Sequence, residues 1–287
     1  MNELIEGTKM QDKIERYGSG SVIQHGSSND RVYLIKMKKA DFPGIIDHVN
    51  TLAKENFYTK IFCKVPYWAS PAFISDGYIT EAHIPGFYNK KDDVFFMSKF
   101  LNSDRIMKFE HEKLEELTDH LLDVPLNKEP VKLKPEFRLK NFLKEKAEEI
   151  CELYKKVFDS YPFPIFDPDF IRKTMDDNVQ YYGILKKEKL IALASADVDM
   201  EGKNAEMTDF ATLPAFRGNN LSVILLSEME KEMKKQEVNT LYTIARLNST
   251  AMNKTFLKLK YRYAGTLIKN TNIAGKIESM NVYYKHI

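Results

Sequence analysis

A short polar loop, RGNNLS at residues 217–222, is the part of the sequence whose residue types could hold an anion. The residues before it read as a strand that ends at Pro214, and those after it read as an amphipathic helix, so the loop lies at a helix N-terminus. Unpaired backbone N–H groups and the positive end of the helix dipole attract anions there. The candidate residues are Arg217, Gly218, Asn219, Asn220, Leu221 and Ser222. An ordinary strand-to-helix turn is the alternative, and the loop alone does not decide between the two interpretations.

The elements that would position this loop follow a definite order from residue 137 onwards. Alternating and helical apolar patterns predict a strand at 137–142, helices at 143–158 and 169–177, three strands at 179–187, 190–199 and 204–213, a helix at 219–235, a strand at 240–246, a helix at 250–260 and two closing strands at 261–270 and 279–287. In the helix after the loop, the apolar stripe is Leu221, Ile224, Leu225, Met229 and Met233. This order predicts a sheet flanked by helices.

The first part of the chain resembles the last part. Three prolines within 123–137 predict an extended linker, which separates a domain at 1–130 from one at 136–287. Residues 59–85 align without a gap on 242–268, so that Phe73 meets Phe256 and Tyr78 meets Tyr261. We therefore expect the first domain to be a truncated copy of the second, with a chance similarity as the alternative.

The bulk composition restricts the function classes. The 287 residues carry 43 basic and 41 acidic side chains, a net charge of +2, which argues against a nucleic-acid surface and favours small-molecule partners. Cys63 and Cys151 have no metal-ligand spacing, so we expect buried, reduced thiols and no metal. Without a signal-peptide pattern or an apolar run of about 20 residues, we expect a cytoplasmic protein with no membrane partner. A homodimer stays open.

The element order and the loop together resemble the GNAT superfamily of N-acetyltransferases, whose signature after the fourth strand is Arg/Gln-x-x-Gly-x-Gly/Ala. Arg217 fits the first position, whereas Asn220 and Ser222 stand where Gly and Gly/Ala are usual. Both are small, and Asn tolerates left-handed backbone angles. The resemblance implies an α/β (α+β) fold with a mixed, mostly antiparallel central sheet, and acetyl-CoA as the acetyl donor.

Longer stretches are similar to one family within that superfamily, the β-lysine Nε-acetyltransferases. They are YPFPI, AEMTDFATLP, AGTLIKNTNI and IESMNVYYK in the second domain, with VIQHG and NDRVYLIK in the first. The resemblance implies acetylation of the ε-amine of β-lysine, which gives an osmolyte. The alternatives are an enzyme for lysine, a polyamine or another small amine, and a module that binds acetyl-CoA without catalysis.

The resemblance also implies the roles of individual residues on the donor side. The fourth strand should splay from the fifth, and its residues Phe210, Ala211 and Thr212 should bind the pantetheine arm. Glu206 is the candidate general base, with Asp209 as the second choice because strand alternation places it on the opposite face. Phe256 stands where many of these enzymes have a Tyr that protonates the leaving thiolate. Asn253 and Asn248 could contact the cofactor. The alternatives are that Asn253 is an ordinary helix-surface residue and that Asn248 only caps the helix.

The acceptor pocket should bind a carboxylate, a β-amine and an apolar stem. Tyr161 and Phe163 in the proline loop could line the stem. The candidates for the polar head are Asn270, Asn272, Glu278, Ser279 and Asn281. Each of these could equally be structural, since strand ends and turns favour such residues.

Overall fold

The computed structural model describes residues 12–122, here the N-terminal half, and residues 131–287, the C-terminal half. The elements of the N-terminal half are β1 (Lys13–Tyr17), β2 (Ser21–Gly26), β3 (Arg31–Lys36), α1 (Gly44–Glu55), β4 (Lys60–Pro66), α2 (Ser70–Ser75), β5 (Ile79–Tyr88), β6 (Asp92–Phe100), α3 (Asp104–Met107) and α4 (His111–Leu122). Those of the C-terminal half are β7 (Phe137–Phe142), α5 (Ala147–Val157), α6 (Pro168–Asp176), β8 (Val179–Lys186), β9 (Lys189–Asp199), β10 (Asn204–Thr212), α7 (Leu221–Lys235), β11 (Thr240–Arg246), α8 (Thr250–Lys258), β12 (Arg262–Ile273) and β13 (Lys276–His286).

The predicted element order is confirmed, and two helix starts differ for physical reasons. The first helix of the C-terminal half begins at Ala147 because Lys144–Lys146 form a 3-10 turn. The helix after the polar loop begins at Leu221 because Asn220 has a φ of 55°, which a right-handed helix does not admit. Of the predicted linker, 131–136 form neither helix nor strand. Its earlier part, 123–130, lies outside the described residues.

The strands of both halves form one sheet. Its order is β1-β2-β3-β4-β6-β5-β12-β13-β11-β10-β9-β8-β7. Among the described strands, only β3–β4 and β10–β11 pair in parallel, so the sheet is mixed and mostly antiparallel, as predicted.

The two halves repeat the same strand order. Read from each outer end towards the middle, β1-β2-β3-β4-β6-β5 corresponds to β8-β9-β10-β11-β13-β12, and β7 is an addition to the second set. The aligned aromatic pairs also have the same geometry. Phe73 and Tyr78 meet edge to face at 5.0 Å between ring centroids, and Phe256 and Tyr261 do so at 5.3 Å. The repeat inferred from the sequence therefore extends to topology and packing.

The halves join where β5 lies beside β12, at Ala82 and Gly265. Only glycine fits at this point, because a Cβ on Gly265 would lie 2.1 Å from the Glu81 carbonyl oxygen, and its φ is 147°. Next to this contact, the buried Lys60 ammonium donates to the Glu81 carboxylate at 2.8 Å and to the Ile268 carbonyl at 2.7 Å. The junction is therefore bonded by backbone and by buried charge.

An apolar core also crosses the junction. Phe62 and Phe96 from the N-terminal half pack with Tyr242, Met280 and Val282 from the C-terminal half. Each half has a further core of its own beneath its helices. Because the shared core spans both halves, it fixes the position of one half relative to the other.

The remaining expectations concern thiols, metals and membranes. Cys63 and Cys151 are buried and unpaired, and burial raises the pKa of both thiols, that of Cys151 to about 11. In 12–122 and 131–287 no three His, Cys, Asp or Glu side chains cluster as a metal site would require. No helix in these ranges is long and apolar enough to cross a bilayer.

Candidate functional site

The central feature of the C-terminal half is a gap between two parallel strands. β10 and β11 pair only at Asn204–Thr240, Ala205–Leu241 and Glu206–Tyr242. Beyond Glu206, β10 continues along β9 as far as the pair Thr212–Ala192, and β11 stays with β13. The edge of β10 that faces β11 is therefore unpaired from Met207 to Thr212. A cavity of about 1830 Å³ begins in this gap and extends to the N-terminal half.

The polar loop lies at one end of the cavity. Asn220 precedes α7 in a left-handed conformation, and its side chain does not cap the helix. The first helical bond that closes onto the loop runs from Ile224 N to Asn220 O, at 3.1 Å. Since the first turn carries no acidic residue, the N–H groups of Leu221, Ser222 and Val223 present the positive end of the helix to the cavity.

The side chains of this loop divide into two groups. Arg217, Gly218 and Asn220 border the cavity, and Gly218 has a φ of 81° with open space around it. Asn219 does not border the cavity. Its amide nitrogen donates to the Phe216 carbonyl at 3.0 Å, and its oxygen accepts from Lys134 at 2.7 Å, so it holds the loop in shape.

Two further cations border the cavity, Lys254 and Lys258 of α8. They were not among the residues predicted from the sequence. Their spacing of four residues, on a helix predicted to follow the fifth strand, was the available signal, because it places both side chains on one helix face. Together with Arg217 they add positive charge to the lining of the cavity.

A β-bulge changes the face on which Asp209 lies. The β9–β10 register shifts between Thr208 and Ala211, and Asp209 has a φ of 54°. Simple alternation placed Asp209 opposite Glu206, and this prediction is wrong, since both carboxylates border the same cavity. The Asp209 carboxylate accepts a bond from the Ser195 hydroxyl at 2.6 Å and another from the Tyr161 hydroxyl.

Asp209 is thus saturated with hydroxyl donors, since Thr208 donates a third bond at 3.3 Å. Burial raises the pKa of Asp209, against these donors, which lower it. A carboxylate with these three bonds holds Tyr161 in place. Because both of its oxygens already accept hydrogen bonds, it is poorly placed to accept a proton from a substrate.

Glu206 has a different environment at the narrow end of the gap. The pKa of Glu206 is raised to about 7, first by burial and then by the nearby Asp197 carboxylate, against the Lys64 ammonium and a bond from the Tyr242 hydroxyl, which lower it. Lys64 in turn donates to the Tyr242 hydroxyl at 2.9 Å. A half-buried carboxylate with this pKa can accept a proton near neutral pH. Lys64 and Tyr242 were not found by sequence analysis.

The cofactor-side candidates lie along the same gap. Phe210 and Thr212 border the cavity, the intervening Ala211 is buried, and the Thr212 hydroxyl is buried without a bonding partner. Phe256 also borders the cavity. Its ring packs edge to face on Phe210, with 5.6 Å between the ring centroids, and stacks on Tyr283, with 6.1 Å between them. No hydroxyl is therefore supplied at the Phe256 position.

Three acceptor-side candidates border the cavity as predicted from the sequence: Tyr161, Phe163 and Asn270. The proline loop that carries the two aromatic residues is attached to the N-terminal half, because Gln24 donates from Nε2 to the Pro162 carbonyl at 2.6 Å. The part of the cavity beside this loop is therefore close to both halves.

The other polar candidates do not border the cavity, and their bonds are structural. Asn253 donates to the Arg246 and Ser249 carbonyls at 2.9 and 2.8 Å and accepts from Asn281 and Tyr283. Both Asn253 and Asn281 are fully buried. They tie α8 to β11 and β13, which is the structural alternative that the sequence left open.

Glu278, Ser279, Asn248 and Asn272 are likewise engaged away from the cavity. Glu278 accepts two bonds from Arg246, both at 2.9 Å, and Asn248 also bonds its carboxylate. Ser279 donates to Glu110 at 2.8 Å, and Asn272 donates to the Ser28 carbonyl at 2.7 Å. In the sequence these residues read as pocket edges, but Ser279 and Asn272 bond to the N-terminal half, and Glu278 and Asn248 bond within the C-terminal half.

Comparison with known proteins covers both halves. Residues 147–261 match the profile of the family described as "Acetyltransferase (GNAT) family". Over 266 residues the chain is 41% identical to the β-lysine N(6)-acetyltransferase of Methanococcus maripaludis, which aligns 92% of this chain and 96% of that protein. It is 30% identical over 280 residues to N-acetyltransferase YodP of Bacillus subtilis, with 97% and 100% aligned. It is 29% identical over 227 residues to the β-lysine N(6)-acetyltransferase of Methanosarcina mazei, with 72% and 83% aligned.

Proposed function

Since this chain belongs to the β-lysine N(6)-acetyltransferase family, within the GNAT acetyltransferases, we propose that it transfers the acetyl group of acetyl-CoA to the ε-amine of β-lysine. The product is Nε-acetyl-β-lysine. Membership of the family makes the chain an N-acetyltransferase. The substrate and the role of each residue are proposals, which rest on the gap between β10 and β11 and on its surroundings.

The donor would lie in this gap. Acetyl-CoA supplies the acetyl group as an activated thioester. The unpaired edge of β10 at Phe210, Ala211 and Thr212 offers backbone groups to the pantetheine amides, as an added strand would. The N–H groups of Leu221 and Ser222, with Arg217, suit the pyrophosphate. The α7 N-terminus is free of acidic side chains and of a side-chain cap, which supports this fit.

Glu206 is the base in this proposal. The acceptor amine has a pKa near 10.4 in water and arrives protonated, so it must lose a proton before it attacks. Glu206 takes that proton, the neutral amine forms the new N–C bond at the acetyl carbonyl, and the C–S bond breaks. The nitrogen then gives up its second proton to the CoA thiolate, which is released as the thiol. Tyr242 and Lys64 hold the Glu206 carboxylate, and Asp209 holds Tyr161 beside the acceptor.

We assign residues 136–287 as the catalytic domain and 1–130 as a truncated, non-catalytic copy. The position in the N-terminal half that corresponds to the polar loop supports this assignment. There the Asp41 carboxylate accepts from the Ser21 hydroxyl at 2.6 Å and from the Ser19 N–H at 2.6 Å, and the Ser19 bond is the main cause that lowers the pKa of Asp41 to about 2. An anionic side chain in this place would repel a phosphate.

The observation that carries the proposal is Glu206, with its pKa near 7, at the point where the two strands part. The test is the release of free thiol from acetyl-CoA, with β-lysine, lysine and spermidine compared at equal concentration, and NMR of the product to identify the acetylated nitrogen. We expect preferential turnover of β-lysine at the ε-amine. Preferential turnover of lysine or spermidine would replace the substrate while keeping the reaction.

A non-catalytic acetyl-CoA-binding module is the second candidate. The absence of a hydroxyl at Phe256 favours it, since many GNAT enzymes use a Tyr there as the acid. Binding of acetyl-CoA in calorimetry without thiol release from any of the three acceptors would establish this candidate and exclude the proposed reaction.

A further inference from the structure

Arg31, on β3 of the N-terminal half, is a buried cation at the acceptor side of the cavity. Its side chain borders the cavity although the residue is only 2% exposed. The described residues offer it neutral oxygens: the carbonyl of Asn270, the hydroxyl of Thr271 at 3.2 Å and the side-chain amide of Gln24 at 3.4 Å. Its Nε–H has no acceptor. None of the described carboxylates forms an ion pair with the guanidinium, and Asp12 and Glu81 act on it only from further away. A buried cation without a direct ion-pair partner is costly, so this guanidinium is suited to receive an anion.

A second buried arginine shows that this arrangement is specific to Arg31. Arg105 also joins the halves, donating from Nε to the Lys269 carbonyl at 2.8 Å and from Nη2 to the Asn29 carbonyl at 2.9 Å. Arg105 forms an ion pair with Asp30 at 3.5 Å and does not border the cavity, whereas Arg31 borders the cavity and has no such pair among the described residues. An open position for an anion is therefore a property of Arg31 and not of the junction in general.

Charged groups line the cavity at two ends. The Glu206 and Asp197 carboxylates lie at one end with the Lys64 ammonium near them, and the Arg31 guanidinium lies at the other. Aromatic rings line the space beside Arg31, with the Tyr33 and Phe62 ring centroids 5.1 and 5.7 Å from its guanidinium carbon. Burial and then the Glu206 carboxylate raise the pKa of Tyr33, so this residue lies between the two ends. The arrangement matches an apolar chain with an ammonium at one end and a carboxylate at the other.

An uncharged hydrogen-bond acceptor, the side chain of Asn270, lies close to Arg31. The side-chain oxygen of Asn270 is buried, borders the same cavity and has no donor, while the carbonyl of the same residue binds Arg31. Amide oxygens that are buried normally have a partner. An ammonium on the carbon next to the carboxymethyl group of the acceptor would provide one.

We propose that Arg31 and Asn270 bind the β-amino-acid head of the acceptor, the guanidinium holding its carboxylate and the Asn270 oxygen its β-ammonium. The inference rests on the proposed function and names the residues that select the substrate. It also predicts that a polyamine is a poor acceptor, since its distal ammonium would meet the Arg31 charge. The N-terminal half, in this scheme, supplies the carboxylate-binding group of the site.

Three acceptors test the assignment. They are β-lysine, 1,4-diaminopentane, which lacks only the carboxylate, and 6-aminohexanoate, which lacks only the β-amine. A charged hydrogen bond contributes enough that we expect wild-type kcat/KM to be about 100-fold higher for β-lysine than for 1,4-diaminopentane. Equal turnover of these two acceptors by the wild-type enzyme would overturn the role of Arg31, whatever its variants do.

The variants then locate the effect. We expect Arg31→Met to lower kcat/KM for β-lysine about 100-fold, mainly through KM, and to change that for 1,4-diaminopentane less than about threefold. Arg31→Lys keeps the charge without the planar fork and should fall between the two. Asn270→Ala should reduce the preference for β-lysine over 6-aminohexanoate. The matched control, Arg105→Met, should change kcat/KM by the same factor for all three acceptors.

The outcomes separate this inference from the proposed function. If β-lysine is acetylated at the ε-amine but Arg31→Met lowers kcat/KM equally for β-lysine and 1,4-diaminopentane, the function stands and the inference is wrong. If the wild-type enzyme prefers spermidine or 1,4-diaminopentane, both are wrong. If Arg31→Met does not fold, as judged by its thermal transition, the decision rests on Arg31→Lys and on the wild-type comparison.

Discussion

At the scale of the residue, Glu206 determines how the rate depends on pH. A base with a pKa near 7 is half deprotonated at neutral pH, so kcat/KM should rise as pH passes from 6 to 8 and then level off. We expect Glu206→Gln to lower kcat by about 100-fold or more and to remove this rise. The measurement is thiol release from pH 6 to 9. Glu237→Gln, an exposed change at the end of α7, is the control and should leave the profile intact.

The same carboxylate should destabilise the fold at alkaline pH. Its pKa is about 7 in the folded protein and about 4.5 in the unfolded chain, so the folded state binds the proton more tightly. Between these values stability falls as pH rises, and it stays low above pH 7. We therefore expect Glu206→Gln to raise the melting temperature at pH 8 by roughly 3 °C and to change it little at pH 4.5. A lower melting temperature at pH 8 would contradict this reading of the environment.

Asp209 should behave differently from Glu206. Because its carboxylate is occupied by hydroxyls, we expect Asp209→Asn to disturb Tyr161 and raise KM for the acceptor several-fold, while the pH midpoint of the rate stays near 7. Steady-state kinetics at four or five pH values would show this. Loss of the pH midpoint in Asp209→Asn, with its retention in Glu206→Gln, would exchange the two roles.

Sequence reasoning reached the residues of the site unevenly. Glu206, Tyr161, Phe163 and Asn270 follow from local pattern and resemblance, and each borders the cavity. Arg31 and Lys64 could not be found in this way. They lie more than 140 positions from Glu206 along the chain, and only the packing of two half-sheets brings all three residues to one cavity.

At the scale of the element, the N-terminus of α7 should determine affinity for the donor. A carboxylate at this position interacts favourably with the positive end of the helix dipole but repels a pyrophosphate. We expect Ser222→Asp to stabilise the fold by about 0.5 kcal/mol and to weaken CoA binding about tenfold. Calorimetry with CoA and thermal unfolding measure the two effects. Ser227→Asp, further along the same helix, should leave CoA binding unchanged, and an equal loss in both variants would argue against this binding site.

Element order was predictable, whereas local irregularity was not. Periodicity of two and of 3.6 residues identified the strands and helices, because these periods reflect one buried face each. The bulge at Thr208–Ala211 leaves no such trace, since it inserts one residue into a strand that otherwise alternates. That single residue decides which carboxylates share the cavity.

At the scale of the whole molecule, the buried pair at the junction should hold the halves together. Lys60→Met leaves the Glu81 carboxylate buried without its cation, so we expect the free energy of unfolding to fall by about 3–5 kcal/mol. Replacing both residues, in Lys60→Met/Glu81→Met, should recover much of this loss. Urea unfolding followed by circular dichroism measures it. Lys155→Met, which removes an exposed ion pair on α5, should change it by less than about 0.5 kcal/mol.

Joining two sheets edge to edge also leaves fewer free strand edges. Two separate sheets would have four edges, whereas the single sheet formed by the described strands has two, at β1 and β7. These terminal strands have five and six residues and carry the charged side chains Lys13, Arg16, Arg138 and Lys140. Short, charged edges resist pairing with other chains. The edge-to-edge join that brings Arg31 to the cavity thus also leaves fewer strand edges through which the protein could aggregate.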